Sequence, residues 1–338
     1  MMARELVRSR ISGTGMYVPD RVVTNDDLTE LMDTTDEWIQ QRTGIRERRW
    51  IEEGQTPADL AHAAAVAALD DAGLEASDLD CILLATLSPE HHFPGTSFFL
   101  QNRLGLDQTP CIDLHAQCTG FLYSLSFAES LVAAGRYNRV LVVGAEVHST
   151  GLDMTTEGRD VSVIFGDGAG AVIVEANRDE NDPGEILGMR LGAQGEHAMR
   201  LCVEAPASGS MPRITQEMLD AGKHWPHMEG RFVFKHAVRR MPEVLQQTLS
   251  ESGVKLEEVD LFLFHQANLR INEFVAGTLE IPEERTFNNI MHYGNCSAGS
   301  IPMLLAETTR SGKLERGQLV SLTGFGSGFS WGSAVIRW

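Results

Sequence analysis

Apolar residues along the chain fall into two patterns: short, nearly unbroken runs bounded by Asp, Gly or Asn, and longer stretches with a three-to-four-residue period that stop at glycine. The short runs predict buried strands at residues 79–86, 111–114, 140–144, 259–264 and 319–324. Residues 6–19 predict a strand entering a glycine turn at Ser12-Gly13-Thr14-Gly15, and residues 163–174 predict two strands joined by a glycine turn. The periodic stretches predict helices over residues 57–72, 119–134 and up to Ser252, closed by Gly73, Gly135 and Gly253. Shorter helices start after Thr24 and after Thr34 or Thr35, whose hydroxyls suit an N-cap.

The pattern repeats. Leu69, Gly73 and Asp80 return 180 residues later as Leu249, Gly253 and Asp260. A second echo, 177 residues apart, pairs Cys118 with Asn295 and Gly135 with Gly312, each ahead of an apolar strand. A repeat this long predicts two similar α/β halves about a pseudo-twofold axis, with sheets covered by helices, rather than a solenoid. The polar, turn-rich residues 177–184 are the expected junction, which divides the chain into 1–180 and 181–338. Residues 204–216 carry no period and are expected on the surface.

Composition narrows the class. The 338 residues are 43% apolar with 32 glycines, which suits an α/β protein with a sizeable core. No apolar run approaches the ~18 residues of a membrane span, and the start Met1-Met2-Ala3-Arg4-Glu5 lacks the apolar core of a signal peptide. A cytoplasmic protein is expected. Five cysteines without CxxC spacing argue for free thiols rather than disulfides or zinc. A formal charge of -19 disfavours nucleic acid, and an acidic partner would need a local basic patch.

One such patch is legible. Arg231, Lys235 and Arg239 recur every fourth residue, a single stripe if residues 232–245 are helical, with Phe234, Val238, Met241 and Leu245 opposite and Arg240 beside it. Chemistry-bearing residues occur where strands end or helices open. Cys118 stands between a strand and a buried helix, where unpaired backbone N–H groups and the helix dipole are expected to lower a thiol pKa. His265 follows the apolar strand 259–264, Asn295 follows Gly294, and Gly324-Phe325-Gly326-Ser327-Gly328 offers backbone N–H groups in a turn. Trp38 near Arg42, Arg46 and Arg48 reads either as a solvated face or as a place where a nucleotide stacks. Gly13 and Gly15 lack the third glycine of a dinucleotide-binding turn.

On these segments the chain resembles the β-ketoacyl-[acyl-carrier-protein] synthase III family: residues 35–48, the Cys118 segment, 165–170, 265–270, 293–299 and 325–332 carry the likeness. The resemblance implies a thiolase-like fold, two βαβαβαββ halves in five layers (αβαβα), and a homodimer without metal or redox cofactor. It implies a triad of Cys118, His265 and Asn295, with the backbone N–H groups of Cys118 and Ser327 as oxyanion hole. It further implies that Trp38, Arg42, Arg159, Asn268 and Arg270 line the coenzyme A approach and that Phe93 enters the partner subunit's acyl pocket. Arg231, Lys235, Arg239 and Arg270 would dock the carrier protein. The implied reaction is decarboxylative condensation of an acyl-CoA with malonyl-[acyl-carrier protein]. His115-Ala116-Gln117 before the cysteine and Ser88-Pro89-Glu90-His91-His92 resemble the secondary-metabolism branch, which leaves open a non-acetyl primer or malonyl-CoA as extender. A degradative thiolase would need a second cysteine near the C-terminus, and none follows Cys296. A cysteine hydrolase could use the same Cys and His but would have to admit water to the acyl-enzyme. A non-catalytic acyl-binding subunit would have lost the nucleophile, and Cys118 is present.

Overall fold

The computed structural model describes residues 6–338, and the charged start at residues 1–5 lies outside them. The first sheet contains β1 (Arg8–Tyr17), β2 (Cys81–Ala85), β3 (Cys111–Leu114), β4 (Arg139–Glu146) and β5 (Gly168–Asn177), in the spatial order β1-β5-β4-β2-β3. The second contains β6 (Glu185–Ala193), β7 (Leu261–Phe264), β8 (Leu319–Gly326) and β9 (Ser330–Arg337), in the order β6-β9-β8-β7. From the β1 or β6 edge, both sheets pair antiparallel, antiparallel, then parallel. Where Ile82 pairs with Cys111 in the first half, a lone parallel bridge from Phe262 to Thr286 is what the second half has of a fifth strand.

Strand alternation distributes the helices. Ile82 and Leu84 of β2 pack with Leu60, Ala64 and Ala68 of α1 (Pro57–Ala72), whereas Leu83 points the other way, to Phe121 and Leu122 of α2 (Gly120–Ala133). α3 (Gly230–Ser252) and α4 (Leu269–Thr278) cover the outer face of the second sheet, with Leu245 and Val275 in one cluster with Phe262 and Phe264. α2 and α5 (Ser300–Arg310) lie between the sheets, where Leu125 and Leu304 share a cluster with Val142 of the first sheet and Leu322 of the second. The layers therefore run helix, sheet, helix, sheet, helix. A central helix must be apolar on most sides, since each fully buried Leu or Phe contributes roughly 1.5–3 kcal/mol; Phe127 and Ser130 mark the one side of α2 that is left exposed. No helix among the described residues is long and apolar enough to cross a membrane.

Three local expectations are corrected. β1 runs through Gly13 and Gly15 without turning, because these glycines serve close approach. A Cβ at Gly15 would fall on the Ala64 carbonyl oxygen, and one at Gly13 would come within 2.8 Å of the Ala72 Cβ. Alanines on α1 and glycines on β1 thus set a short helix-to-sheet distance. Residues 163–165 are not a strand either: Arg159–Ser162 forms a short helix, Phe165 makes an isolated bridge to Asn295, and β5 begins at Gly168.

The third correction concerns the register of the repeat. Short 3-10 turns span Gln117–Thr119 and Ser297–Gly299, and their first residues both take left-handed φ, 46° and 43°. The turns stand 180 residues apart, so the counterpart of Cys118 is Ala298, and Asn295 lies three residues upstream. The 177-residue spacing of Gly135 and Gly312 has a separate origin. α2 has 14 residues and α5 has 11, and a longer loop before β8 restores the offset, since β4 begins at Arg139 and β8 at Leu319.

Gly15→Ala tests the close approach. It should destabilise the protein by about 1–3 kcal/mol, as overpacking a close-packed contact does, read as a lower denaturation midpoint with an unchanged slope. Unchanged stability would show that α1 can move off β1 freely.

Candidate active site

β3 ends at Leu114 and α2 opens at Gly120, and the turn between them holds Cys118 almost wholly buried. β8 fixes what lies beside it. A Cβ at Gly326 would stand 2.9 Å from the Cys118 Cβ, and a Cβ at Gly324 would stand 3.4 Å from the His265 Cβ. Residues two apart on a strand share a face, so Cys118 and His265 occupy successive places over the same face of β8, roughly 7 Å apart along it. Glycine leaves the room for both. His265 arrives there because β7 ends at Phe264 and pairs in parallel with β8, with the His265 N–H donating to the Thr323 carbonyl at 2.9 Å.

Asn295 joins through Ser297. The Ser297 hydroxyl donates to the Cys118 Sγ at 3.4 Å, and the Ser297 N–H donates to the Asn295 Oδ1 at 2.8 Å. The acceptor end of the Asn295 amide is thereby occupied, which leaves its NH2 end to donate elsewhere. The Ser327 N–H also reaches the thiol. Its side chain is directed away, donating to the Leu201 carbonyl. The Ser330 hydroxyl, 2.7 Å from that of Thr119, donates to the Ser327 carbonyl at 2.9 Å and so steadies the turn against the cysteine. No hydrogen bond among the described residues joins His265 to Cys118 or Asn295, and both ring nitrogens of His265 are buried without partners.

Electrostatics overturns one expectation. Burial pushes the Cys118 thiol up to about 11; hydrogen bonds from Ser297 and from the Ser327 and Cys118 N–H groups only partly oppose it, and nearby Glu146 adds to the rise. The helix opening does not produce a low thiol pKa here, because the thiol is buried against β8 and the second half. Burial likewise pushes His265 down to about 3. Thiol and imidazole are therefore both neutral near pH 7.

Sequence reading missed Ser297, Thr119, Ser330 and Glu146. Ser297 had a signal, since an Asn whose side chain accepts from the N–H two residues on is a common turn pattern. Glu146 had none: it ends an apolar strand, is fully buried, and accepts from Ser88 Oγ at 2.7 Å, Leu87 N–H at 3.1 Å, Thr86 Oγ1 at 3.1 Å and Ala298 N–H at 3.4 Å. Burial raises its carboxyl to about 7. It binds the loop after β2 to the Ser297–Gly299 turn of the other half.

Cys118 and Ser327 line a cavity of about 940 Å³, walled by Leu87, Val147, Leu152 and Phe165 among others; His265 and Asn295 do not line it. Away from these lining residues, Trp38 carries two guanidinium groups, with Arg42 at 4.2 Å and Arg159 at 5.0 Å from its ring centre. Asn268 joins this cluster by donating to the Arg42 carbonyl at 2.9 Å, and its Oδ1 caps α4 by accepting from the Arg270 N–H at 3.0 Å. Arg48 does not belong to the surface cluster. It is fully buried and donates to the Val23 and Val163 carbonyls, a structural role. Phe93 is 81% exposed, as are large parts of Phe98, Ile112 and Phe127. Arg231, Lys235 and Arg239 form an exposed stripe on α3, with Arg239 held by Glu243 at 2.9 Å, and Arg270 is exposed. All five cysteines are free thiols.

Comparison with known proteins bears on the family and the fold. Two family models match: 3-oxoacyl-[acyl-carrier-protein] synthase III over residues 112–195, and the C-terminal model of the same name over residues 249–338. The chain is 41% identical to the β-ketoacyl-[acyl-carrier-protein] synthase III of Roseiflexus sp. (strain RS-1), covering 97% of this chain and 98% of that one. The crystal structure of 3-oxoacyl-[acyl-carrier-protein] synthase III from Aquifex aeolicus VF5 matches with a TM-score of 0.88 at 42% identity, over 98% and 100% of the two chains. The priming β-ketosynthase from the R1128 polyketide biosynthetic pathway matches with a TM-score of 0.89 at 31% identity, over 99% and 98%.

The raised thiol pKa has a direct consequence in the ligand-free protein. Alkylation of Cys118 by iodoacetamide, followed by peptide mapping, should accelerate about tenfold per pH unit from pH 7 to 9, following the thiolate fraction. A rate that levels off below pH 8 would mean that the helix opening and its donors outweigh burial.

Proposed function

The chain belongs to the 3-oxoacyl-[acyl-carrier-protein] synthase III family, and we propose that it condenses an acyl-CoA primer with malonyl-[acyl-carrier protein] through Cys118, His265 and Asn295. The observation that carries this reading is the pairing of a buried, cavity-lining thiol with two neutral groups able to donate beside it, the NH2 end of Asn295 and the unpartnered ring of His265. Neither requires a metal, and no cluster of metal-ligating side chains occurs among the described residues.

In the first stage the Cys118 sulfur attacks the thioester carbonyl, whose oxygen is held by the Cys118 and Ser327 N–H groups. The thiol proton passes by way of His265 to the departing coenzyme A sulfur, so the half-reaction is neutral overall. Neither ring nitrogen of His265 is committed to a protein partner, so either tautomer can form. In the second stage the malonyl thioester oxygen accepts from His265 Nε2 and Asn295 Nδ2. Carbon dioxide leaves, the electron pair of the broken bond forms the enolate, and its carbon attacks the acyl carbonyl on Cys118. Collapse of that adduct expels the Cys118 thiolate, which regains a proton.

Trp38 with Arg42 and Arg159 suits the coenzyme A entrance: a flat aromatic face for the base and guanidinium forks for phosphate. The exposed Phe93, with Phe98, Ile112 and Phe127, suits a homodimer in which Phe93 enters the partner's cavity. Arg231, Lys235 and Arg270 suit docking of an acidic carrier protein, because local positive charge acts within a Debye length of about 8–10 Å despite the net negative charge. The likeness to a polyketide priming enzyme supports a second reading with a primer other than acetyl.

Asn295→Asp separates the two stages. It keeps an acceptor for the Ser297 N–H but removes the donor, so malonyl decarboxylation should fall about 10²- to 10³-fold while acylation of Cys118, followed by intact mass, persists. Loss of acylation with decarboxylation retained would reverse the assigned roles. For docking, Arg231→Glu with Lys235→Glu should raise the KM for malonyl carrier protein several-fold, more at low salt, and leave acylation by acyl-CoA unchanged. An unaltered KM would remove the stripe from the docking surface.

A further inference from the structure

Glu146 is a buried acid that the proposed reaction does not use, and it stands where the two halves meet beside the nucleophile. β4 turns two residues of one face toward the Ser297–Gly299 turn. Gly144 leaves room for the Ala298 carbonyl oxygen, and Glu146, two residues on, accepts from the Ala298 N–H. The residue before Ala298 is Ser297, whose hydroxyl donates to the Cys118 Sγ. The same carboxyl accepts from the Leu87 N–H and from the hydroxyls of Thr86 and Ser88, and Ser88 Oγ in turn accepts from the Val147 N–H at 2.9 Å. Leu87, Ser88 and Val147 line the cavity with Cys118. One carboxyl thus joins the hydroxyl donor of the thiol to the cavity wall.

The partners let this carboxyl keep its place in either charge state. Both N–H groups can only donate, but the Thr86 and Ser88 hydroxyls can rotate, donating to the carboxylate or accepting from the protonated acid. None of the four partners is a cation, so the ionised form brings an unpaired negative charge into the site. Titratable groups surround it on each packed element. Cys118 and Cys296 stand on the two turns; burial raises both thiols, and Glu146 adds to the rise, for Cys296 together with Asp167. Burial keeps His148, on the same segment, neutral. Asp167 is next to Gly168, which pairs with Glu146 across β4 and β5. Glu90, further along the loop after β2, is engaged by the Ala58 N–H and Thr96 Oγ1.

We propose that Glu146 is a positioning residue for the nucleophile: its carboxyl fixes the Ser297 turn against the cavity wall, and its negative charge, once ionised, holds Cys118 as the neutral thiol. The proposal rests on Cys118 being the acyl acceptor. A thiolate formed beside a carboxylate stands next to a like charge, so the two groups resist ionising together. Cys118 therefore keeps its proton until a thioester is there to be attacked, and the thiolate expelled at the end of the second stage is driven to regain one.

Glu146→Gln isolates the charge, because its amide oxygen can accept from the Leu87 and Ala298 N–H groups while its NH2 donates to the two hydroxyls. Burial raises the Glu146 carboxyl to about 7, so the parent is mostly protonated there at pH 6 and mostly ionised at pH 8. Alkylation of Cys118 by iodoacetamide in the full chain, followed by peptide mapping, should run equally fast in variant and parent at pH 6. At pH 8 it should be about three- to tenfold faster in Glu146→Gln, tenfold corresponding to one pKa unit of the thiol. A ratio that does not change with pH would overturn the charge role. Positioning is read by single-turnover acylation with octanoyl-CoA and intact mass: Glu146→Ala should slow it about tenfold or more and Glu146→Gln should recover most of the rate, whereas equal loss in both would overturn that role. Should Glu146→Gln not fold, Ser88→Ala removes a hydroxyl that favours the ionised acid, so Cys118 should alkylate several-fold faster than in the parent near pH 7 and equally fast at pH 9; equal rates throughout would overturn the proposal. If neither acetyl-CoA nor octanoyl-CoA acylates a parent Cys118 that iodoacetamide still reaches, the acyl-acceptor reading fails, and the proposal with it, whatever the alkylation ratio.

Discussion

The site depends on the contact of two buried turns across the pseudo-twofold axis. Gln117–Thr119 and Ser297–Gly299 each close with a left-handed first residue, a conformation that costs a non-glycine residue of order 1–3 kcal/mol. Ser297 of the second reaches Cys118 of the first, and the second also packs so closely on β4 that a Cβ on Gly144 would fall on the Ala298 carbonyl oxygen. What holds them is polar: Ser297 to Cys118, Asn295 to Ser297, and Glu146 accepting from both the loop after β2 and Ala298. Packing of α2 and α5 between the sheets supplies the burial that makes these polar contacts short of alternatives. Separate either half and the cysteine loses its hydroxyl partner, its glycine-lined neighbour strand and its shelter from water together.

That shelter decides the chemistry. A thiol near 11 and an imidazole near 3 describe a resting site without separated charge. An ion pair there would have to overcome desolvation of both ions. The site is arranged instead around neutral donors, which cost little to bury and gain strength when charge develops on a substrate oxygen. Removing water lifts the thiol pKa, and the same removal makes each donor more effective toward an enolate. The two effects have one cause.

Much of the fold was legible because helix stops and strand lengths are local. Pro57–Ala72 with Gly73, and Gly253 at the end of α3, follow from capping and period alone. The glycine pairs were misread for a reason of range: Gly13 and Gly15 answer to α1, some 50 residues away, and not to their own backbone. The 177-residue echo misled in the same way, since one shortened helix and one lengthened loop compensate each other and leave an offset that is true only between them. For the site, Cys118, His265 and Asn295 stand out by their neighbours. Glu146 becomes visible only when partners are counted in three dimensions.

One segment then links the cavity with the Trp38 cluster. Residues 147–167 supply Val147, His148, Leu152 and Phe165 to the cavity beside Cys118, and Arg159 to the ring of Trp38. Its ends are fixed by Asp167, which is buried and accepts from the N–H groups of His148, Ser149 and Ile51 at 2.7, 2.9 and 2.8 Å while its own N–H donates to the Arg49 carbonyl. Ile51 ends the stretch that carries Trp38 and Arg42. A single buried residue therefore ties the cavity wall to the stretch that carries Trp38 in one frame; burial raises the Asp167 carboxyl, and the hydrogen bonds from Ser149, Ile51 and His148 oppose that rise. Displacing residues 148–149 or Ile51 has to break that bonding, so this part of the wall beside Cys118 is held by polar contacts as well as by packing.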